Sequence, residues 1–234
     1  MKSAQNHIAM PVEVGEGVWR IRNRVVASNT YICRLEDRTE CIVIDPGLDA
    51  ESVHAGLRSL SQIPKAIFCT HGHFDHIGSA ASLQKDHGAT LYLHAADVRA
   101  AKSANFTMMI ARVSGRITVP TVDALLAEGD RYSSGRDEVT VVHTPGHTPG
   151  SCCIRLKQYA FTGDTLYRDG VGLTNFPGED SSQLLVSVAK LWNLLPDSTV
   201  VCPGHGGAAQ FADLKRNNLP LRRLLSLPEM TGGG

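Results

Sequence analysis

The sequence predicts an α/β (α+β) protein in which two β-sheets pack face to face with helices outside, a four-layer αββα sandwich. Three observations lead there. Short β-rich runs alternate with amphipathic helical stretches along the 234 residues. These elements fall into two successive halves, each with several strands and flanking helices. An apolar sheet face must be buried, and pairing the two sheets with helices outside covers every such face.

The first half opens with strand-like runs at 18–21, 29–35 and 41–44. A helix is expected at 50–60 with Asp49 as its N-cap. A strand at 66–69 leads to a helix at 77–85 that Gly88 stops, then to a strand at 90–93 and a helix at 95–101. Residues 103–127 fit no tidy element. There Phe106, Met108, Met109 and Ile110 are followed by Arg112 and Arg116, which suits a helix packed on the body or on another subunit. The second half offers strands at 139–143, 152–156, 159–161 and 199–202. Its helices are expected at 182–195, capped by Ser181, and near 211–225. The ends, 1–10 and 229–234, are expected to be flexible.

The length suits one domain spanning 1–234, with enough residues to bury a full core. Lys plus Arg and Asp plus Glu each number 23, so the chain has no net charge to draw it to nucleic acid or to a membrane. No apolar run approaches a transmembrane span, and no signal core follows Met1, so the chain reads as cytoplasmic. The six cysteines, at 33, 41, 69, 152, 153 and 202, lie mostly in apolar strand-like runs. They read as free, buried thiols of a reducing compartment. Cys152 and Cys153 would point to opposite faces of a strand.

Directly after the strand at 66–69 comes Thr70-His71-Gly72-His73-Phe74-Asp75-His76. Its four potential ligands fall within six residues, and imidazole with carboxylate suits zinc, iron or manganese. In extended backbone His71, His73 and Asp75 would share one side, and His76 would turn toward a second ion. Such a cluster serves two adjacent metals more naturally than one.

These residues resemble the His-x-His-x-Asp-His signature of the metallo-β-lactamase-fold superfamily, most closely its small glyoxalase II-like hydrolases. The other motifs stand in order: Ile42 to Gly47 with Asp45, Thr144 to Gly150 with His147, Phe161 to Thr165 with Asp164, and Cys202 to Gly206 with His205. Each lies at a strand-to-loop junction. The resemblance implies one metal on His71, His73 and His147, a second on Asp75, His76 and His205, and Asp164 as the bridge. It also implies an Asp45 that orients a ligand imidazole from behind, a role that can coexist with a turn in Asp45-Pro46-Gly47. Two divalent ions follow, Zn2+ first, with Fe or Mn as alternatives.

The chemistry implied is hydrolysis by a metal-bridging hydroxide, with Asp164 and Asp75 as the catalytic carboxylates. Neither a Ser-His-Asp order nor a dedicated general acid is evident, which favours a leaving group that departs unprotonated. A thioester, or an activated ester, fits. The partner is then a small acyl molecule, thiol-linked in this reading, with monomer and homodimer both open. Gly172 to Gly178 strengthens the glyoxalase II link but departs from it. Many relatives read Gly-Arg-Thr-Asp-Phe-Pro-Gly, whereas Leu173 and Asn175 stand here for the Arg and the Asp. Leu173 cannot make a charge-assisted contact to a glutathione carboxylate. Only 29 residues follow His205, too few for the helical glutathione-binding domain of glyoxalase II proper.

The main alternative is a persulfide dioxygenase with one iron on residues matching His71, His147 and Asp164. A lactonase, a β-lactamase and a non-catalytic metalloprotein are further alternatives; lactamases of the fold generally lack the Asp at 164. Tyr167 and Arg168 are candidate pocket walls beside Leu173 and Asn175, and Arg112 or Arg116 could supply a missing cation. His143 is a candidate group behind a ligand, His94 a helix-start residue, and His7, His54 and His87 surface residues.

Overall fold

The computed structural model describes residues 8–173 and 178–226. His7 and the tail 229–234 lie outside them. Seven strands form the first sheet: β1 (Val12–Gly15), β2 (Val18–Arg22), β3 (Asn29–Arg34), β4 (Glu40–Ile44), β5 (Ile63–Phe68), β6 (Thr90–His94) and β7 (Ala124–Leu126), in that order. The first four pair antiparallel, and β4 through β7 pair parallel. Six strands form the second: β8 (Arg131–Ser134), β9 (Asp137–His143), β10 (Cys152–Leu156), β11 (Tyr159–Gly163), β12 (Val200–Pro203) and β13 (Ala209–Gln210), in order 13-12-11-10-9-8.

The helices are α1 (Ala50–Ser59), α2 (Phe74–Ile77), α3 (Ala80–His87), α4 (Val98–Lys102), α5 (Ala104–Ile110), α6 (Ser181–Leu194), α7 (Phe211–Asn217) and α8 (Leu219–Leu224). A 3-10 turn, Ala95–Asp97, precedes α4. Strand alternation sorts the side chains into layers. Ile42 and Ile44 face the other sheet with Tyr31, Phe68, Ile154 and Phe161. Cys41 and Val43 face outward onto Val53 and Leu57 of α1 and Leu83 of α3. On the far side, Leu184, Val188 and Leu191 of α6 cover Cys153, Ala160 and Val201. Each such fully buried Ile or Leu contributes roughly 1.5–3 kcal/mol. The expected four-layer sandwich is therefore present, and Cys152 and Cys153 do lie on opposite faces of β10. All six cysteines are buried and free.

Asp49 caps α1 by accepting from Ser52 N, and Gly88 ends α3 in the left-handed conformation at φ 66°. The cap of α6 is Asp180, whose carboxylate accepts from Ser182 N and Gln183 N, so Ser181 is its first helical residue instead. Residues 103–127 hold α5 and β7, which patterning missed. Met108 packs into the core while Phe106, Met109 and Ile110 are exposed. Among the described residues no helix is long and apolar enough to cross a membrane.

Candidate metal centre

Asp45 follows β4, His71 to His76 follow β5, His147 follows β9, Asp164 follows β11 and His205 follows β12. The loops beyond these strand ends converge on one edge of the sandwich. The alternation of His71, His73 and Asp75 suits extended backbone, but the motif is extended only as far as His73. Phe74–Ile77 forms the helical turn α2, which brings the adjacent Asp75 and His76 into one ligand set.

Three groups have ligand atoms within 4.8 Å of one another: His71, His73 and His147; His71, His76 and Asp164; and Asp75, His76 and His205. His147 Nε2 is 3.1 Å from His73 Nδ1. Asp75 Oδ2 lies 3.3 Å from His205 Nε2 and 3.5 Å from His76 Nε2. Asp164 reaches both sides: Oδ2 is 3.5 Å from His147 Nε2 and from His205 Nε2, and Oδ1 is 3.6 Å from His76 Nε2. Close approach of the last loop requires Gly204, since a Cβ there would collide with Asp164 and His76.

Hydrogen bonds on the outward ring nitrogens decide which nitrogen is free. Asp45 Oδ1 accepts from Thr70 N at 2.7 Å, and Oδ2 accepts from Thr70 Oγ1 at 2.7 Å and His76 Nδ1 at 3.0 Å. Thr70 spends its one hydroxyl proton on Asp45, so its oxygen accepts from His71 Nδ1 at 3.0 Å. His147 Nδ1 donates to Gly172 O at 3.2 Å, with Glu179 Oε1 at 3.3 Å. The Nε2 atoms of His71, His76 and His147 are thus committed inward. His71 Nε2, His76 Nε2 and Asp164 Oδ1 are buried without a hydrogen-bond partner. Such orphaned atoms are rare in folded proteins, and divalent metals would satisfy them. The donor set therefore fits the group that the sequence motifs imply.

The electrostatics agree. Complete burial, with His76, His73 and His147 nearby, pushes His71 well below the usual imidazole value. Burial and His147 take His73 down to about 4. Both present lone pairs at neutral pH, the form a metal requires. Burial would also lower His76, but Asp75, Asp164 and Asp45 outweigh it and lift the ring to about 10. Burial would raise Asp75, but His76 and His205 outweigh it and hold the carboxyl low. The second set therefore holds charge that a cation can replace.

A cavity of about 210 Å3 opens over these groups, walled by Val26, Phe74 and Ala111 beside His73, Asp75, His147, Asp164 and His205. Ala111 follows α5, so the 103–127 segment both packs on the body and reaches the site. Val26 holds a left-handed backbone at φ 64° in the turn between β2 and β3. Tyr167 stands at the site, its ring 6.3 Å from His205 and its phenol pushed up by burial and by Asp164. Arg168 is instead in an exposed pair with Asp169 at 2.9 Å. Leu173 is 39% exposed directly after Gly172, and Asn175 lies outside the described residues.

His143 does not back a ligand. Its Nε2 meets Pro149 O at 2.9 Å and its ring stacks on His94 at 4.2 Å. His94 accepts from Ala96 N at the start of the 3-10 turn, the helix-start role expected. His54 is half-buried against Ser82 at 3.1 Å rather than on the surface. Sequence reasoning passed over Thr70, Gly172, Glu179, Val26, Phe74 and Ala111. Of these Thr70 and Phe74 lie inside the Thr70–His76 motif and Gly172 opens the loop before Leu173, whereas Glu179, Val26 and Ala111 carried no sequence signal.

The metallo-beta-lactamase superfamily profile matches residues 23–205. An uncharacterized protein of Mycobacterium tuberculosis is 32% identical over 83% of this chain and 92% of its own. Hydroxyacylglutathione hydrolase GloC of Haemophilus influenzae is 30% identical over 78% of this chain and 88% of its own. Among solved structures, TTHA1623 in a di-iron-bound form is 31% identical, with a TM-score of 0.75 over 89% of this chain and 98% of that one. BLEG-1, a B3 metallo-beta-lactamase, is 29% identical, with a TM-score of 0.75 over 87% and 99%. ETHE1 from Myxococcus xanthus is 27% identical, with a TM-score of 0.69 over 89% and 91%.

Proposed function

The chain belongs to the metallo-beta-lactamase superfamily, and we propose that it is a dinuclear metal-dependent hydrolase of thioesters or activated esters. The observation that carries this reading is Asp164, whose carboxylate stands within 3.6 Å of ligand nitrogens from both sets. His71, His73 and His147 would hold one ion and Asp75, His76 and His205 the other, with zinc the first candidate and iron the second.

When bound, two such ions lower the pKa of a water from ~16 toward ~7 and polarise the substrate carbonyl. Asp164 would orient the attacking water and accept its proton at a carboxylate oxygen. Tyr167, facing that carboxylate, would hold it in place. Val26, Phe74 and Ala111 would exclude bulk water and seat an apolar acyl group. A thiolate leaving group suits this pocket, because among the described residues that line it none is a dedicated general acid. Leu173, beside the carbonyl that orients His147, offers no charge to a glutathione carboxylate. The likeness to GloC supports the reaction class, and Leu173 argues for a different thiol.

Elemental mass spectrometry of protein purified without added metal, followed by a thioester panel, tests this. About two ions per chain with thioester hydrolysis, lost in Asp164→Ala, support the proposal. One iron per chain with oxygen consumption on persulfides would favour the dioxygenase alternative. Hydrolysis of β-lactams alone would move the substrate class.

A further inference from the structure

Asp97 ends the 3-10 turn after β6, is fully buried, and takes no part in the chemistry above. Burying a carboxylate is costly unless donors surround it. Three do. Asp97 Oδ2 accepts from Gly72 N at 2.8 Å and from Thr148 Oγ1 at 2.7 Å, and Oδ1 accepts from Gly150 N at 2.7 Å. Gly72 lies between the candidate ligands His71 and His73, and Thr148 directly follows His147.

We propose that Asp97 is a positioning residue for the first metal set: its carboxylate fixes the separation between the His71–His73 loop and the His147 loop. The proposal rests on reading those histidines as ligands. The ordinary local task for an Asp at this place is capping, since it begins α4, yet its side chain makes no cap hydrogen bond there. Its acceptors go instead to two loops that lie 25 and 51–53 residues away in sequence.

Both loops press directly against it. A Cβ on Gly72 would come within 2.6 Å of Asp97 O, and one on Gly150 within 2.6 Å of Asp97 Cγ. No side chain can intervene: one loop packs on the backbone carbonyl of Asp97 and the other on its carboxylate. Beside the Cys152 N to Thr70 O backbone bond at 2.7 Å, this carboxylate is the side-chain link that sets the spacing of the two loops. Ala101, one helical turn further on, belongs to the apolar core, where filling space alone would call for an apolar residue. The second set, Asp75, His76 and His205, receives no bond from Asp97. Its geometry comes from Asp45 and from Asn29, which donates through its backbone N to Gly204 O at 2.7 Å and through Nδ2 to Pro203 O at 2.9 Å. Asp97 should therefore act on one ion and spare the other.

The test is a zinc titration of the metal-free full chain with a competing chelator, following the imidazole nitrogens by NMR. In Asp97→Asn an amide faces at least one donor, and a staple bond is lost. Zinc binding reported by His71, His73 and His147 should weaken about 10–100-fold, while the His205 signal responds at the wild-type zinc concentration. Thr148→Val removes only the hydroxyl bond, and should give a smaller selective loss if Asp97→Asn folds poorly. Equal weakening of both sets, or none, in both variants would overturn the positioning role. A wild-type chain that binds fewer than two zinc ions would overturn the dinuclear reading beneath it.

Discussion

Asp45 receives the Nδ1–H of His76 at 3.0 Å, and with Thr70 it also orients His71, so one carboxylate behind the site directs imidazoles of both ligand sets. Its backbone is left-handed, at φ 49°, a conformation Asp tolerates better than most residues. Asp45→Asn should lower metal affinity about 10–100-fold with the fold intact. Because Asp45 touches both sets, both ions should weaken together, in contrast to the selective loss expected for Asp97. Metal retained in full after dialysis against chelator would argue against this role.

Leu173→Arg restores a cation beside the carbonyl that orients His147. Activity on a glutathione thioester should rise about tenfold, chiefly through KM, as expected for one charge-assisted hydrogen bond. Steady-state kinetics on glutathione and non-glutathione thioesters would check it. An unchanged ratio between the two would mean that the pocket anchors its substrate elsewhere.

Val26 is a β-branched residue at φ 64°, partly exposed, at the mouth of the cavity. Left-handed backbone costs an L-residue roughly 1–2 kcal/mol, and Asn relieves part of that. Val26→Asn should raise Tm by about 2–4 °C and lower kcat/KM for substrates with longer acyl chains. A lower Tm in thermal denaturation would show that the apolar contact outweighs the strain.

Asp49 accepts from Arg24 Nε at 2.6 Å and from Ser52 Oγ at 2.8 Å. Burial pushes its carboxyl up, but Arg24 and Ser52 outweigh that and lower it below the ordinary value. The lowered group stabilises the fold in full above its unfolded value of ~3.9 and loses that contribution as pH falls through the lower folded value. Asp49→Asn should lower Tm at neutral pH by about 2–4 °C. The gap from wild type should stay constant from pH 7 to about pH 5 and shrink below about pH 4. Metal ligands protonate in both chains, so the difference isolates Asp49. A gap unchanged at pH 3 would contradict the assignment.

Most strands and helices were legible because their apolar period runs for five residues or more, as in Cys152–Leu156 and Ser181–Leu194. The short edges were not. Ala124–Leu126 and Ala209–Gln210 span three and two residues, too few to show a period. Ser181 looked like a cap because hydroxyl residues favour that place, but Asp180 already accepted from both free amides.

The sequence by itself determined the layered fold and the residues that converge at the site, because each candidate ligand sits at a strand end inside a local motif. Asp45, within a motif of its own, was legible behind them, but the other supporting partners were decided only by the tertiary structure. His143 is four residues from His147 yet turns away to stack on His94. Asp97, far along the chain from both loops, joins them. Hydrogen-bond partners are chosen by distance in space, and a chain whose loops meet only after two sheets have packed carries no local signal of those meetings.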